Sequence, residues 1–293
     1  MNRLLFPDLA WRAPWVWGAA LCAVLGAGAV LVFLGFLLTQ SLPVFREYGW
    51  EFLFGREWLP GERYGALPML YGSVMVTVTA LLWVLPLAWG SALLTAEFLS
   101  RRARWWVKAA MELLAGVPGV LYGLIGVTVL SVWVRDRFGL LDGNTLFTAS
   151  LLLAVMVLPT IMTLSEDALR AVPREYREAA LGLGARRTEV ALGVVMPAAA
   201  PALLGAVMLG LGRALGETIA VMLVIGGRDA IPRPWFNLFA PGQSIPSKLG
   251  REAAESLGYG MHGSALMALG LLLLLLVLGL SLLGHRLLRS RQS

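Results

Sequence analysis

The sequence predicts an all-α membrane protein, a single six-helix domain with both termini on the cytoplasmic side. Three observations carry that prediction. Hydrophobic residues make up 58% of the chain and charged residues 14%, against roughly 25% charged in a soluble domain. Five Leu-rich stretches, and a sixth interrupted by Arg213 and Glu217, reach the roughly 20 residues that a helix needs to cross the hydrocarbon. The Lys and Arg residues gather in alternate loops. Spans are expected near 14–39, 70–97, 110–134, 145–164, 201–226 and 262–285.

Charge placement sets the orientation. Arg3 and Arg12, then Arg101, Arg102, Arg104 and Lys108, fall on the side chosen as cytoplasmic. So do Arg170, Arg174, Arg177, Arg186 and Arg187, and finally Arg286, Arg289 and Arg291. The other side holds Arg46, Arg56, Arg63, Arg135, Arg137, Arg228, Arg233, Lys248 and Arg251, fewer in number and offset by nine acids. Short loops weigh most in the positive-inside rule, so N-in and C-in follows. The formal charge of +6 reflects this bias, not nucleic-acid binding.

Taken in order, the first apolar stretch is too long for a secretory signal core and is read as an uncleaved helix. The single cysteine, Cys22, lies within it, so no internal disulfide is possible; it reads as a small packing residue. The outer loop at 42–69 carries Trp50, Trp58, Pro60, Gly61, Gly65 and Pro68. That mixture fits either a compact outer structure or interfacial Trp anchors. At the start of the third span, Glu112 has Lys108 one turn earlier, which suggests an ion pair or a gate; Tyr122 can donate to a passing anion or pack.

Residues 165–200 read as two cytoplasmic helices joined by Gly182-Leu183-Gly184, the second running from Arg186, Arg187 and Glu189 to Pro197 and Pro201. Glu166, Asp167, Arg170, Arg174, Arg177 and Glu178 give the first a polar face at helical spacing. Lying on the bilayer surface is the plainer alternative. In the fifth span, Arg213 and Glu217 stand four residues apart, on one face if the helix is continuous, with Thr218 beside them. Gly212 and Gly216 form a G-x-x-x-G that permits close helix approach. Arg213 is either locked in a structural pair with Glu217 or lines an anion pathway, where its planar fork suits phosphate. The outer segment 227–261 holds Pro232, Pro234, Pro241 and Pro246 and cannot be one regular helix; 249–258 can form a short one.

Catalytic constellations are missing. With only His262 and His285 there is no H-E-x-x-H pair, neither Lys108 nor Lys248 follows a glycine as a Walker A lysine must, and no serine sits in a G-x-S-x-G elbow. If ATP drives this chain, another chain hydrolyses it.

Glu178-Ala179-Ala180, then Gly184, Val194, Met196 and Pro197 resemble the EAA loop of bacterial ABC-transporter permeases, with Val194 and Met196 in place of Ile and Leu. The resemblance implies a short helix that plugs into an ATPase subunit. Glu178 would act there as a cap or ion-pair residue and Gly184 as its turn, with Ala179, Ala180 and Arg186 in the coupling element. Residues 210–218 (Gly-Leu-Gly-Arg-Ala-Leu-Gly-Glu-Thr) and 112–123 (Glu-Leu-Leu-Ala-Gly-Val-Pro-Gly-Val-Leu-Tyr-Gly) resemble the phosphate-specific members. Residues 64–73 (Tyr-Gly-Ala-Leu-Pro-Met-Leu-Tyr-Gly-Ser) resemble their PstC type. Gly119 stands where Ser is expected.

The likeness covers about residues 50–285. It implies a non-catalytic permease subunit of an ATP-driven phosphate importer in the bacterial plasma membrane. The substrate pathway would include Arg213, Glu217, Thr218 and Tyr122. The implied partners are a PstA-like sister permease, two PstB-like ATPase subunits, a PstS-like phosphate-binding protein and membrane lipid, with no nucleic acid. No cofactor is expected beyond the ATP held by the partner. Import of another oxyanion such as sulfate or molybdate, phosphate sensing, and a membrane-embedded enzyme are the alternatives.

Overall fold

The computed structural model describes residues 14–256 and 260–289; Arg3, Arg12 and Arg291 lie outside them. Six helices are long and apolar enough to cross a membrane: Val16–Tyr48, Leu67–Phe98, Gly119–Phe138, Leu146–Arg170, Arg187–Gly216 and Gly260–Gly284. The six expected spans are all present, but their ends and two of their interiors differ.

Helix α1 (Pro14–Tyr48) continues past 39 as one rod, so the segment after it is shorter than expected. A short α2 (Trp50–Phe54) follows, then an antiparallel hairpin of β1 (Trp58–Leu59) and β2 (Arg63–Tyr64) with Trp58 opposite Tyr64. Trp58 is buried beside Phe52, Tyr64, Met69, Ile245 and Leu266, whereas Trp50 is 76% exposed. The compact structure expected of this loop is built around Trp58, and Trp50 lies on its surface. Cys22 is exposed on α1 and does not pack as expected.

Helix α3 (Leu67–Leu93) is prolonged by a π-helical turn, Leu94–Phe98. Gly72 is where α3 meets the backbone of the segment before Ile245: a Cβ there would overlap the Gln243 carbonyl oxygen. The expected third span then divides. Helix α4 (Arg101–Gly116) starts at Ser100, whose hydroxyl accepts from the Ala103 N–H, and buries no residue. Its Trp105 and Trp106 are exposed, as befits an amphipathic helix at an interface. The crossing proper is α5 (Gly119–Ile125), a π-helical turn (Gly126–Leu130) and α6 (Ser131–Phe138).

Helix α7 (Leu146–Arg170), N-capped by the Thr145 hydroxyl, is the hub. Of its apolar window 67% is buried, against 6% for α1, so α7 is central and α1 peripheral. The main core lies between α3, α7, α10 and α11, with Val84, Leu153, Ile161 and Val221 in it.

After α7 come α8 (Arg174–Gly182) and α9 (Arg187–Val190), a π-helical turn (Ala191–Val195) and α10 (Met196–Gly216). Glu166, Asp167 and Arg170 therefore end α7 and do not share a helix with Glu178. Pro197 and Pro201 do not end the second segment either. Pro197 sits in the first turn of α10, where proline is tolerated, and Pro201 lies inside the helix. The result is a 30-residue rod, Arg187–Gly216. Helix α10 nears α7 at Gly210, whose missing Cβ makes room for Ile161; Gly212 and Gly216 have open space. The close approach thus falls at Gly210, two residues before Gly212 and on the other side of the helix.

Helix α11 (Ile219–Val224) leads to a turn at Gly226 and Gly227, both at positive φ, and to a loop closed by the Gly226–Gly242 bridge. Helix α12 (Ile245–Ser256) begins before the expected 249, and the expected end at 258 lies outside the described residues. Helix α13 (Gly260–Arg289) packs on α1.

Candidate functional site: two helices broken side by side

The span expected at 110–134 is broken at Val117–Pro118, and the one expected at 201–226 at Glu217–Thr218. Proline has no N–H and its ring forces the preceding residue into extended backbone; Val117 has ψ 128° and Pro118 ψ 135°. At the second break Glu217 is extended, with ψ 120°. Inside a membrane, the backbone groups freed by such breaks need partners, and the partners here are the candidate site residues.

Tyr122, buried on α5, donates its hydroxyl to the Leu114 carbonyl at 2.9 Å. Arg213 reaches from α10 to the Ala115 carbonyl at 3.4 Å and the Thr160 hydroxyl at 3.3 Å. Both therefore serve the carbonyl end of α4, where the helix dipole favours a cation. On the other strand of the break, Glu217 accepts from the Ala220 N–H at 3.3 Å and so starts α11, and the Thr218 hydroxyl donates to the Gly216 carbonyl at 3.3 Å.

The two breaks touch. A Cβ on Gly119 would lie 2.8 Å from the Glu217 carboxylate, and Gly123 and Gly126 let α5 close on Ala220 and Val224. Glycine at 119, the departure from the expected Ser, leaves the space that Glu217 fills. Thr160 places this level on α7, about 21 Å from its Leu146 end and about 15 Å from its Arg170 end at 1.5 Å per residue. The site is deep in the bundle.

The Arg213–Glu217 pair, one of the two readings of this spacing, is absent: among the described residues Arg213 has no carboxylate within 4 Å. The helix ends between the two residues, so four-residue spacing no longer sets them face to face. Arg213 is exposed on this chain, with guanidinium N–H groups to spare. Among the described residues Tyr122 stacks on no aromatic ring, and its hydroxyl proton is given to Leu114. Glu112 is exposed and unpaired with Lys108, which instead meets Asp167 at 2.7 Å and the buried Glu166 at 3.4 Å. The hydrogen bond to Asp167, then attraction to both carboxylates, holds the Lys108 ammonium above its ordinary pKa despite desolvation.

At the α8 end, Gly184 has φ 87° and donates to the Leu181 carbonyl at 2.9 Å, a left-handed turn that favours glycine. The Arg186 N–H is taken by Glu189 at 2.7 Å, opening α9. Glu178 and Ala179 are exposed, while Ala180 packs on the core. Glu178 makes no ion pair among the described residues; the pairing falls to its neighbour Arg177, which joins Glu97 at 2.7 Å. Tyr176, Leu181 and Leu183 leave α8 and its turn with an exposed apolar surface.

Sequence reasoning missed the Arg177–Glu97 pair and a buried charge cluster at the hairpin end. There Lys248, 2% exposed, meets Asp229 and Glu252, with its ammonium 5.2 Å from the Trp58 ring. The four-residue spacing of Lys248 and Glu252 was a usable signal; Asp229 and Trp58 were not within its reach.

Residues 84–292 match the family described as "Binding-protein-dependent transport system inner membrane component". The chain is 34% identical to the phosphate transport system permease protein PstC of Mesorhizobium japonicum, over 93% of this chain and 87% of that one. It is 36% identical to the PstC protein of Pasteurella multocida (82% and 80%) and 34% identical to the probable ABC transporter permease YqgH of Bacillus subtilis (89% and 84%). Among solved structures, a bacterial alginate ABC transporter chain aligns with TM-score 0.60 over 94% of each chain at 15% identity. A MetNI methionine transporter chain aligns at 0.58 over 77% of this chain and 94% of that one, at 18% identity. At those identities the structures establish the fold alone.

Proposed function

We propose, from the premise that this chain belongs to the binding-protein-dependent transport permeases and stands among their PstC phosphate members, that it is one membrane subunit of an ATP-driven phosphate importer. Its α8 end faces the cytoplasm and its hairpin end the outside, in keeping with the placement of Lys and Arg. The observation that carries the reading is the convergence of Arg213, Tyr122 and Glu217 on two adjacent helix breaks deep in the bundle.

A charged side chain at that depth needs protein or water around it. Arg213, Gly212 and Gly216 share the open face of α10, so a sister permease of the PstA kind covers that face and completes the path. Phosphate passes along the seam and is met by the fork of Arg213, while Glu217 opposite limits how tightly the anion is held. Discontinuous helices at mid-depth are where transporters place such sites.

Two PstB-like subunits bind and hydrolyse ATP; this chain needs no cofactor of its own. They press on α8 through its exposed apolar surface and the Glu178 and Ala179 face. Motion of α8 reaches α3 through Arg177 and Glu97. It reaches Arg213 along the unbroken rod from Arg187 to Gly216, which pivots at Glu217–Thr218. A PstS-like binding protein delivers phosphate at the hairpin end.

Uptake of radiolabelled phosphate into cells lacking this chain tests the reading. Wild-type complementation should restore uptake that excess sulfate does not compete. Uptake abolished by sulfate would assign another oxyanion. Intact uptake without this chain, with loss only of the phosphate-starvation response, would make it a sensor.

A further inference from the structure

The outer charges balance in number but not in position. The acids nearest this rim are engaged elsewhere: Glu57 is held by Arg63 at 3.3 Å, and Asp229 and Glu252 both close on Lys248. Arg56, Arg228 and Arg233 have no carboxylate within 4 Å among the described residues, and all three are exposed. They line one cavity of about 1140 Å³ together with Glu57, Tyr71 and Trp235. Three uncompensated guanidiniums around one concavity repel each other and focus a positive field into it.

The rim is built, not slack. The Tyr71 hydroxyl donates to the Trp235 carbonyl. The Arg228 N–H donates to Gly242 at 3.1 Å, and Phe147 and Leu146 on α7 donate to Leu238 at 2.8 Å and Ala240 at 3.1 Å. Helix α11, six residues or about 9 Å long at 1.5 Å per residue, separates the breaks from the Gly226 turn that leads to this rim. The cavity therefore stands one step outside the paired breaks.

We propose that this cavity is a second anion site, a vestibule that takes a tetrahedral oxyanion, phosphate in the reading above on which this rests, before it reaches Arg213. Its volume equals on the order of forty water molecules at about 30 Å³ each, so the anion is held with much of its hydration, by field more than by fit. Capture is weak and salt-sensitive, with a range near the Debye length of about 8 Å at physiological salt. It keeps phosphate released by the binding protein from escaping.

The test is a titration of the assembled transporter, purified in nanodiscs without its binding protein, with inorganic phosphate followed by ³¹P line broadening. The wild type should bind weakly, with affinity falling as salt rises. Arg228→Gln with Arg233→Gln should weaken binding roughly tenfold or more, and the paired Lys substitutions should retain most of it, which also checks folding. Unchanged binding in the Gln pair overturns the vestibule, as does a pair that loses only capture of the binding protein. Phosphate uptake by cells is scored in parallel. Absence of wild-type uptake overturns the phosphate reading and this proposal together; normal uptake with unchanged binding in the Gln pair overturns the vestibule alone.

Discussion

Arg177 on α8 gives its guanidinium to both carboxylate oxygens of Glu97, at 2.7–3.2 Å across a sequence separation of 80 residues. The same side chain donates to the Leu169 carbonyl at 2.8 Å and the Val172 carbonyl at 2.6 Å. One residue thus fastens the exposed helix to the end of α3 and to the end of α7.

This clamp predicts an uncoupled transporter when it is cut. Arg177→Lys keeps the charge but not the fork, and Glu97→Gln keeps the shape but not the charge. Each should lower phosphate uptake several-fold while ATP hydrolysis by the assembled complex continues. A double-mutant cycle on thermal stability should return a coupling on the order of 1–3 kcal/mol. Additive effects would show that the two residues do not act as a unit.

Gly184 should reject a β-branched residue. At φ 87°, Gly184→Val carries strain on the order of 1–3 kcal/mol and tilts α8 against α9. Insertion should be intact and uptake lost, measured by membrane fractionation beside transport. Normal uptake would remove Gly184 from the coupling element.

Gly72→Ala should fail for a packing reason. Its Cβ meets the backbone oxygen of Gln243, which has no flexible end to swing away, so the cost is on the order of 1–3 kcal/mol. Thermal unfolding in detergent should show the drop, whereas Gly212→Ala, with open space around it, should not change the stability of the isolated chain.

Lys108 gives a pH prediction with a defined sign. Its folded pKa is raised, chiefly by the hydrogen bond to Asp167. The stabilisation is therefore fully present below the ordinary lysine pKa and is lost as pH rises through the folded value. Lys108→Met should be less stable than wild type throughout the neutral range, with the difference shrinking only at strongly alkaline pH. A difference that shrank on acidification from neutral to pH 6 would contradict the assignment.

Much of this was readable in the sequence, because hydropathy and charge report directly on span number. The Gly184 turn was readable because helix ends favour glycine in the left-handed conformation. The two breaks were not read correctly. Apolar residues continue across Val117–Pro118 and Glu217–Thr218, so a hydropathy window sees one span in each place. Pro118 was a local signal; Glu217 gave none, since the space its carboxylate fills lies beside Gly119 on another helix. For the same reason the Arg213–Glu217 spacing misled: periodicity assumes a continuous helix. Lys108 was assigned to Glu112 by spacing, but Asp167 and Glu166 are brought to it by the packing of α4 on α7.

The most direct measurement is phosphate uptake by Arg213→Gln and Arg213→Lys, each quantified for membrane insertion and assembly. If Arg213 meets the anion at the paired breaks, the Gln variant should insert normally and lose uptake. The Lys variant should keep a fraction, having the charge without the fork. Full uptake by a well-inserted Arg213→Gln protein would contradict the account and leave Arg213 as a cap on the carbonyl end of α4.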